Sequence, residues 1–169
     1  MKIAITGAMG VGKTTLANML SQEIGIDILP EVARDMIQEG YTLDSGATEE
    51  FERTMLYRQL GLELEDKFIA DRGIIDILAY CMILFKDNHS LLNEINNWLA
   101  EARYDIVFYL PIEFPIENDG VRSTDIELQK QIDKEIKGIL SVGKFKWFEI
   151  RGNKLERLKK VSKHLTSVK

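Results

Sequence analysis

Short apolar runs alternate along this chain with longer stretches in which apolar residues recur at helical spacing. The runs at 2–6 (KIAIT), 26–30 (IDILP), 67–71 (KFIAD), 105–110 (DIVFYL) and 145–150 (FKWFEI) have the length and the β-branched or aromatic content of strands. The run at 105–110 is the most continuous and reads as a central strand, whereas 145–150 alternates and reads as an edge. Helical spacing covers 14–24 through Leu16, Met19, Leu20 and Ile24, and 31–39 through Val32 and Met36. It returns at 48–66, 74–85, 90–102 and 123–142, and in a last helix carrying Leu155, Leu158, Val161 and Leu165. This alternation predicts one α/β domain over 1–169, a three-layer arrangement with helices on both faces of a five-stranded parallel sheet. Ligands of such sheets bind beyond the carboxyl ends of the strands. Those ends carry residues 7–15, Glu31, Asp71-Arg72, Pro111 and Arg151-Gly152.

The first strand end has a chemistry of its own. Gly7, Gly12, Lys13 and Thr14 fill the phosphate-loop pattern G-x-x-x-x-G-K-[ST] between a predicted strand and a predicted helix. Gly7, Ala8, Met9, Gly10, Val11, Gly12, Lys13, Thr14 and Thr15 are expected to wrap a polyphosphate with backbone amides, backed by the positive end of the helix. Lys13 is expected on the β- and γ-phosphates and the Thr14 hydroxyl on Mg²⁺. The expected ligand is a nucleoside triphosphate with Mg²⁺.

Composition narrows the setting. A chain of 169 residues with a net charge of −5 and a pI near 5.2 lacks the basic face that a duplex nucleic acid partner favours. Cys81 is the single cysteine, so an internal disulfide and a cysteine-based zinc site are both excluded, and its apolar surroundings predict a packed thiol. The chain opens on a strand rather than a signal segment, and no apolar stretch reaches membrane-spanning length. A cytoplasmic protein without a membrane partner is the expectation; oligomeric state is not written in the sequence.

Three further positions extend the site. Asp71, ending an apolar strand beside the phosphate loop, is expected to hold Mg²⁺ through water, or alternatively to cap the next helix. Glu31 is placed to accept a proton from an attacking hydroxyl, with Asp35 and Asp71 as alternatives for that role. Arg34, one turn on from Glu31, either neutralises phosphate charge or orients the carboxylate. The segment Asp119-Gly-Val-Arg122 opens a region, about 118–142, that reads as a lid, from which Arg122 would close on the transferring phosphoryl group with help from Lys130 or Lys134.

Taken together, Gly7 to Thr14, Glu31-Val-Ala-Arg34, Asp71-Arg-Gly73 with Asp76 and Tyr80, Tyr104-Asp105 and Asp119-Gly-Val-Arg122 resemble the NadR-type AAA domain. That family includes a ribosylnicotinamide kinase domain and lies within the phosphate-loop nucleoside and nucleotide kinases. The resemblance implies the strand order 2-3-1-4-5 and transfer of the γ-phosphate of ATP to a small nucleoside or nucleotide-like acceptor. It also implies that the acceptor lies against the helix carrying Arg53, Tyr57, Arg58 and Gln59, with Glu31 as base. Arg72 would contact substrate, and Arg151 to Asn153 would lie near the adenine. Two other classes remain open at this point: a polynucleotide 5′-hydroxyl kinase, and a nucleotide-dependent regulatory module. A guanine-reading N/T-K-x-D segment and a D-x-x-G switch are both absent from the sequence, which disfavours a GTPase.

Overall fold

The computed structural model describes residues 1–41, 46–115 and 125–166. Strand β1 (Lys2–Thr6) leads through the phosphate loop into α1 (Lys13–Ile24), followed by α2 (Val32–Gln38) and α3 (Glu49–Leu62). Strand β2 (Phe68–Asp71) precedes α4 (Ile74–Leu84) and α5 (His89–Glu101). Then come β3 (Ile106–Tyr109), α6 (Ile126–Val142), β4 (Trp147–Glu149) and α7 (Lys154–Thr166).

The strands form one parallel sheet in the order β2-β1-β3-β4. Ile3 pairs with Ile69 on one side and Ile106 on the other, and Ile5 likewise with Asp71 and Phe108. Strands β1, β2 and β3 are buried almost throughout, while β4 is half-exposed, as its alternating pattern predicts. The register matters for function because it brings the ends of β1 and β2 level, so that the phosphate loop and Asp71 emerge side by side.

The expected strand at 26–30 does not form, and the sheet has four strands rather than five. Ile28 makes a single parallel bridge to Ile69, with Leu29 N–H donating to the Ile69 carbonyl and Ile69 N–H to that of Asp27, each at 2.9 Å. The ladder cannot lengthen, because Pro30 has no N–H to donate and Gly25 turns the chain just before it with φ 67°. Helix α3 begins where Thr48 accepts a hydrogen bond from Phe51 N–H at 3.1 Å, and it stops at Leu62, short of the predicted end. Of the region read as a lid, 118–124 lies outside the described residues and the rest is largely α6, whose Gln129, Ile132, Ile136 and Leu140 are buried. No helix among the described residues is long and apolar enough to cross a membrane.

The main core lies around the sheet, and a smaller cluster of Val32, Met36 and Phe51 sits between α2 and α3. Cys81 is a core residue as predicted. Burial, and then the neighbouring Glu52 carboxylate, push its thiol pKa well up, which makes it a packing group and not a nucleophile.

Candidate active site

The phosphate loop is held in shape by its glycines and by side chains from far along the chain. Gly7 has φ 149°, Gly10 φ 75° and Gly12 φ 92°, and a Cβ on Gly7 would overlap the Leu110 carbonyl oxygen. Lys13, 3% exposed, donates from Nζ to the carbonyls of Gly7 at 2.5 Å and Ala8 at 2.7 Å. Its ammonium is therefore already inside the loop, where an arriving phosphate would present an anion in place of two dipoles. From outside, Gln129 Nε2 donates to the Met9 carbonyl at 2.6 Å. The Arg157 guanidinium donates to the Val11 carbonyl at 2.5 Å and to Glu113 Oε2 at 2.8 Å, and Gly152 N–H donates to the same Glu113 oxygen at 2.9 Å. Sequence reading missed Gln129, Glu113 and Arg157. The signal available for Gln129 and Arg157 was register, since they share the buried faces of Ile132 and Val161.

At the end of β2, Asp71 is 8% exposed and its Oδ1 is buried without a hydrogen-bond partner. It does not cap α4: Asp76 Oδ2 takes the Gly73 N–H at 3.0 Å instead. Burial raises the Asp76 carboxyl pKa above the usual range, against the pull of Lys13 and Arg72. Arg72 has φ 77°, a left-handed conformation that costs a non-glycine residue about 1–3 kcal/mol. That turn gives its N–H to the Ile5 carbonyl at 3.1 Å and lays the guanidinium over Tyr80, 5.8 Å from the ring centre. Burial alone would lower the Arg72 pKa, but Tyr80, Asp76, Glu31 and Asp71 outweigh it and raise it. The group stays a cation.

Glu31 stands immediately before α2, 16% exposed, between two arginines. Its Oε2 lies 3.3 Å from Arg34 Nε and its Oε1 3.9 Å from Arg72 Nε. Arg34, Arg72, Asp71, Gln59 and Met9 of the phosphate loop line the same cleft as Glu31, about 850 Å³ of non-protein space with its open mouth included. Phe51, Met55, Ile77 and Tyr80 supply apolar wall, and the buried Glu52 adds a further carboxylate that sequence reading did not single out.

Other expected residues lie elsewhere. Arg58 reaches Glu39 with two hydrogen bonds of 2.7 Å, Arg53 pairs with Glu49 and Glu94, and the Tyr57 hydroxyl donates to Glu94. The helical turn is the reason: 52, 55 and 59 share the cleft-facing side of α3, which points 53, 57 and 58 away. Asp35 is exposed and not on the cleft wall, and Arg151 is exposed, paired with Glu149. Lys130 is exposed beside Glu127. Arg122 lies outside the described residues.

Among the described residues, no group of three or more His, Cys, Asp or Glu side chains could hold a metal on its own. The donors present nevertheless fit Mg²⁺, which takes one or two protein oxygens and keeps phosphate and water for the rest. Thr14 offers a hydroxyl in the first turn of α1, and the orphaned Asp71 Oδ1 offers a carboxylate oxygen.

A family model described as an AAA domain matches residues 2–157. The chain belongs to this AAA-domain family. No protein of curated function matches the sequence. Among solved structures, deoxyadenosine kinase from M. mycoides, with dCMP and a flexible dCDP bound, is 21% identical with TM-score 0.72, each chain covering 100% of the other. NadR in complex with NR is 17% identical with TM-score 0.81, matching 98% of this chain but 50% of its own length. Thymidylate kinase from Ehrlichia chaffeensis is 20% identical with TM-score 0.69, at 98% coverage of both. At such identities the likeness shows the fold alone, an α/β arrangement of parallel sheet and helices that this AAA-domain member shares with those structures.

Proposed function

We propose that this chain is an ATP-dependent kinase that transfers the γ-phosphoryl group to a hydroxyl of a small nucleoside-like acceptor. The reading rests on one observation: a single cleft joins the phosphate loop, at Met9, to Glu31, Asp71 and Gln59. Phosphoryl transfer needs a donor cradle and an acceptor pocket that share the line of attack, and a cleft that borders the phosphate loop at Met9 supports that reading.

The amides from Gly7 to Thr15 and the Lys13 ammonium hold the donor phosphates, with Arg151 beside the adenine. Thr14 and Asp71 would hold Mg²⁺, which neutralises charge on the β- and γ-phosphate oxygens. As the acceptor oxygen bonds to the γ-phosphorus, the bond from that phosphorus to the β,γ-bridging oxygen breaks and ADP leaves. The hydroxyl proton passes to Glu31. Arg34 and Arg72 hold that carboxylate in position, and Arg122 is proposed to meet the transferring group.

The charge pattern favours a hydroxyl over a phosphate acceptor. A phosphate monoester, with a second pKa of about 6, is already largely a dianion at neutral pH, and it needs cations rather than a base. Here both arginines of the cleft already face Glu31, and Glu52, Asp71 and Asp76 add carboxylates to the wall.

Lys13→Ala should abolish transfer. Glu31→Gln should retain ATP affinity and lose about two to four orders of magnitude in turnover, measured as acceptor-dependent ADP release over a nucleoside panel. Full turnover in Glu31→Gln would remove Glu31 from the role of base. A failure of every acceptor, with ATP still bound tightly, would make the chain a nucleotide-binding module instead.

A further inference from the structure

Behind Gln59 lies a carboxylate that the transfer chemistry does not use. Glu63 Oε1 accepts hydrogen bonds from Gln59 Nε2 at 2.8 Å and from the Tyr104 hydroxyl at 2.7 Å. Tyr104 is 9% exposed, and its oxygen accepts the Ile74 N–H, at the first residue of α4, at 3.2 Å. Its single proton is therefore the one given to Glu63. The Glu63 backbone is fixed as well, because its carbonyl accepts Lys2 Nζ at 2.8 Å. Burial pushes the Glu63 carboxyl pKa up, with Gln59, Tyr104 and Lys2 pulling against it. In either charge state Oε1 receives two donors, so any carboxyl proton sits on the other oxygen.

An amide has a donating end and an accepting end. With one N–H of its NH₂ end committed to Glu63, the Gln59 amide is held from turning over, and its carbonyl oxygen leads the end left for a ligand. We infer that Glu63 locks the polarity of Gln59, so that the acceptor pocket selects a nucleoside whose base carries an exocyclic amino group. The inference rests on reading this cleft as a nucleoside site. Glu52 lies seven residues before Gln59 on the same helical face and is 2% exposed. Its carboxylate adds a second accepting group to that wall. With the acceptor hydroxyl held at Glu31 and the base between Phe51, Met55 and Tyr80, the base cannot slide to exchange one edge atom for another. A keto oxygen at the amino position then faces the Gln59 oxygen, an uncompensated contact that lowers kcat/KM by roughly tenfold to a hundredfold.

Two matched pairs test this: adenosine with inosine, and cytidine with uridine, each differing by amino against keto. Both phosphorylation by ATP with Mg²⁺ and direct binding by calorimetry are read. The wild type should prefer the amino member of the pair it accepts, by roughly tenfold or more, chiefly in KM. Glu63→Gln presents both a donor and an acceptor, so the Gln59 amide can turn over and the ratio should fall to a few-fold. Tyr104→Phe leaves Glu63 facing Gln59 and should keep the ratio, which separates the lock from a general loosening. Gln59→Leu should abolish the ratio, and it serves if Glu63→Gln does not fold. Equal use of both members, a keto preference, an unchanged ratio in Glu63→Gln, or its loss in Tyr104→Phe would each overturn the inference. Selective binding without phosphorylation would overturn the kinase reading and leave this one standing. Phosphorylation without selectivity would do the reverse, and no binding of any of the four would overturn both.

Discussion

A single methyl group at position 7 would decide whether the phosphate loop keeps its shape. Gly7 combines φ 149° with direct contact to the Leu110 backbone, so Gly7→Ala brings backbone strain and a collision that no side-chain rotation relieves. The strain alone is about 1–3 kcal/mol, and a loop displaced to escape it no longer converges its amides on one phosphate. Gly7→Ala should lower the melting temperature and weaken ATP binding by roughly tenfold or more, since each tenfold in affinity is about 1.4 kcal/mol. Unchanged calorimetric affinity would show that Leu110 yields instead. Residues of this kind were legible in the sequence because the phosphate-loop pattern is local. Asp71 was legible because it ends an apolar strand, and Glu31 because it follows a strand-like apolar run, although that run makes only a single bridge. Gln129, Arg157, Glu52 and Glu63 were not, for a shared physical reason. Each is a polar side chain on a buried surface, and the partners that satisfy Gln129 and Arg157 are 120 and 146 residues away. Pattern reading assigns such residues to solvent.

At the scale of elements, α7 does more than cover the sheet. Arg157 extends from it into the back of the phosphate loop, 5% exposed at its side chain, and joins Val11, Glu113 and, through the latter, the turn at Gly152. The loop after β3 and the turn after β4 are thereby tied to the donor cradle by one guanidinium. Arg157→Ala removes its bonds to a carbonyl and a carboxylate and leaves both acceptors behind, a loss of about 1.5–3 kcal/mol for a hydrogen bond to a charged group. The urea midpoint should fall by a matching amount, and ATP affinity should fall with it. Arg157→Lys restores the charge but not the fork that spans two acceptors, so it should recover only part of either. A stability loss with no change in ATP affinity would confine Arg157 to packing. Element type was largely readable from periodicity, and the exceptions trace to single residues. Pro30 ends what would have been a fifth strand, and the hundred-degree step between helical neighbours turns Arg53, Tyr57 and Arg58 away from the cleft while Gln59 faces it.

Across the whole molecule the two sides of the site rest on unequal foundations. The donor side grows from β1, β2 and β3, whose residues belong to the large core. The acceptor side is roofed by α2, a helix of seven residues whose buried contacts belong to the small separate cluster of Val32, Met36 and Phe51. Few buried apolar contacts and a short helix mean a low free energy of local opening. Exposed pairs such as Arg58 with Glu39 add little to hold α2 down, because solvent screens them. Hydrogen exchange on the free protein should therefore show the amides of Val32–Gln38 opening far more readily than those of β1 and β3. A non-transferable ATP analogue alone should protect the loop from Gly7 to Thr15, and only the further addition of an acceptor nucleoside should slow exchange in α2. That order follows from where each ligand would sit: the triphosphate on the rigid core, the nucleoside between α2, α3 and the end of β2. Protection of α2 equal to that of the sheet in the free protein would mean that the pocket is preformed, and that acceptor selection is then a matter of its walls and not of its closing.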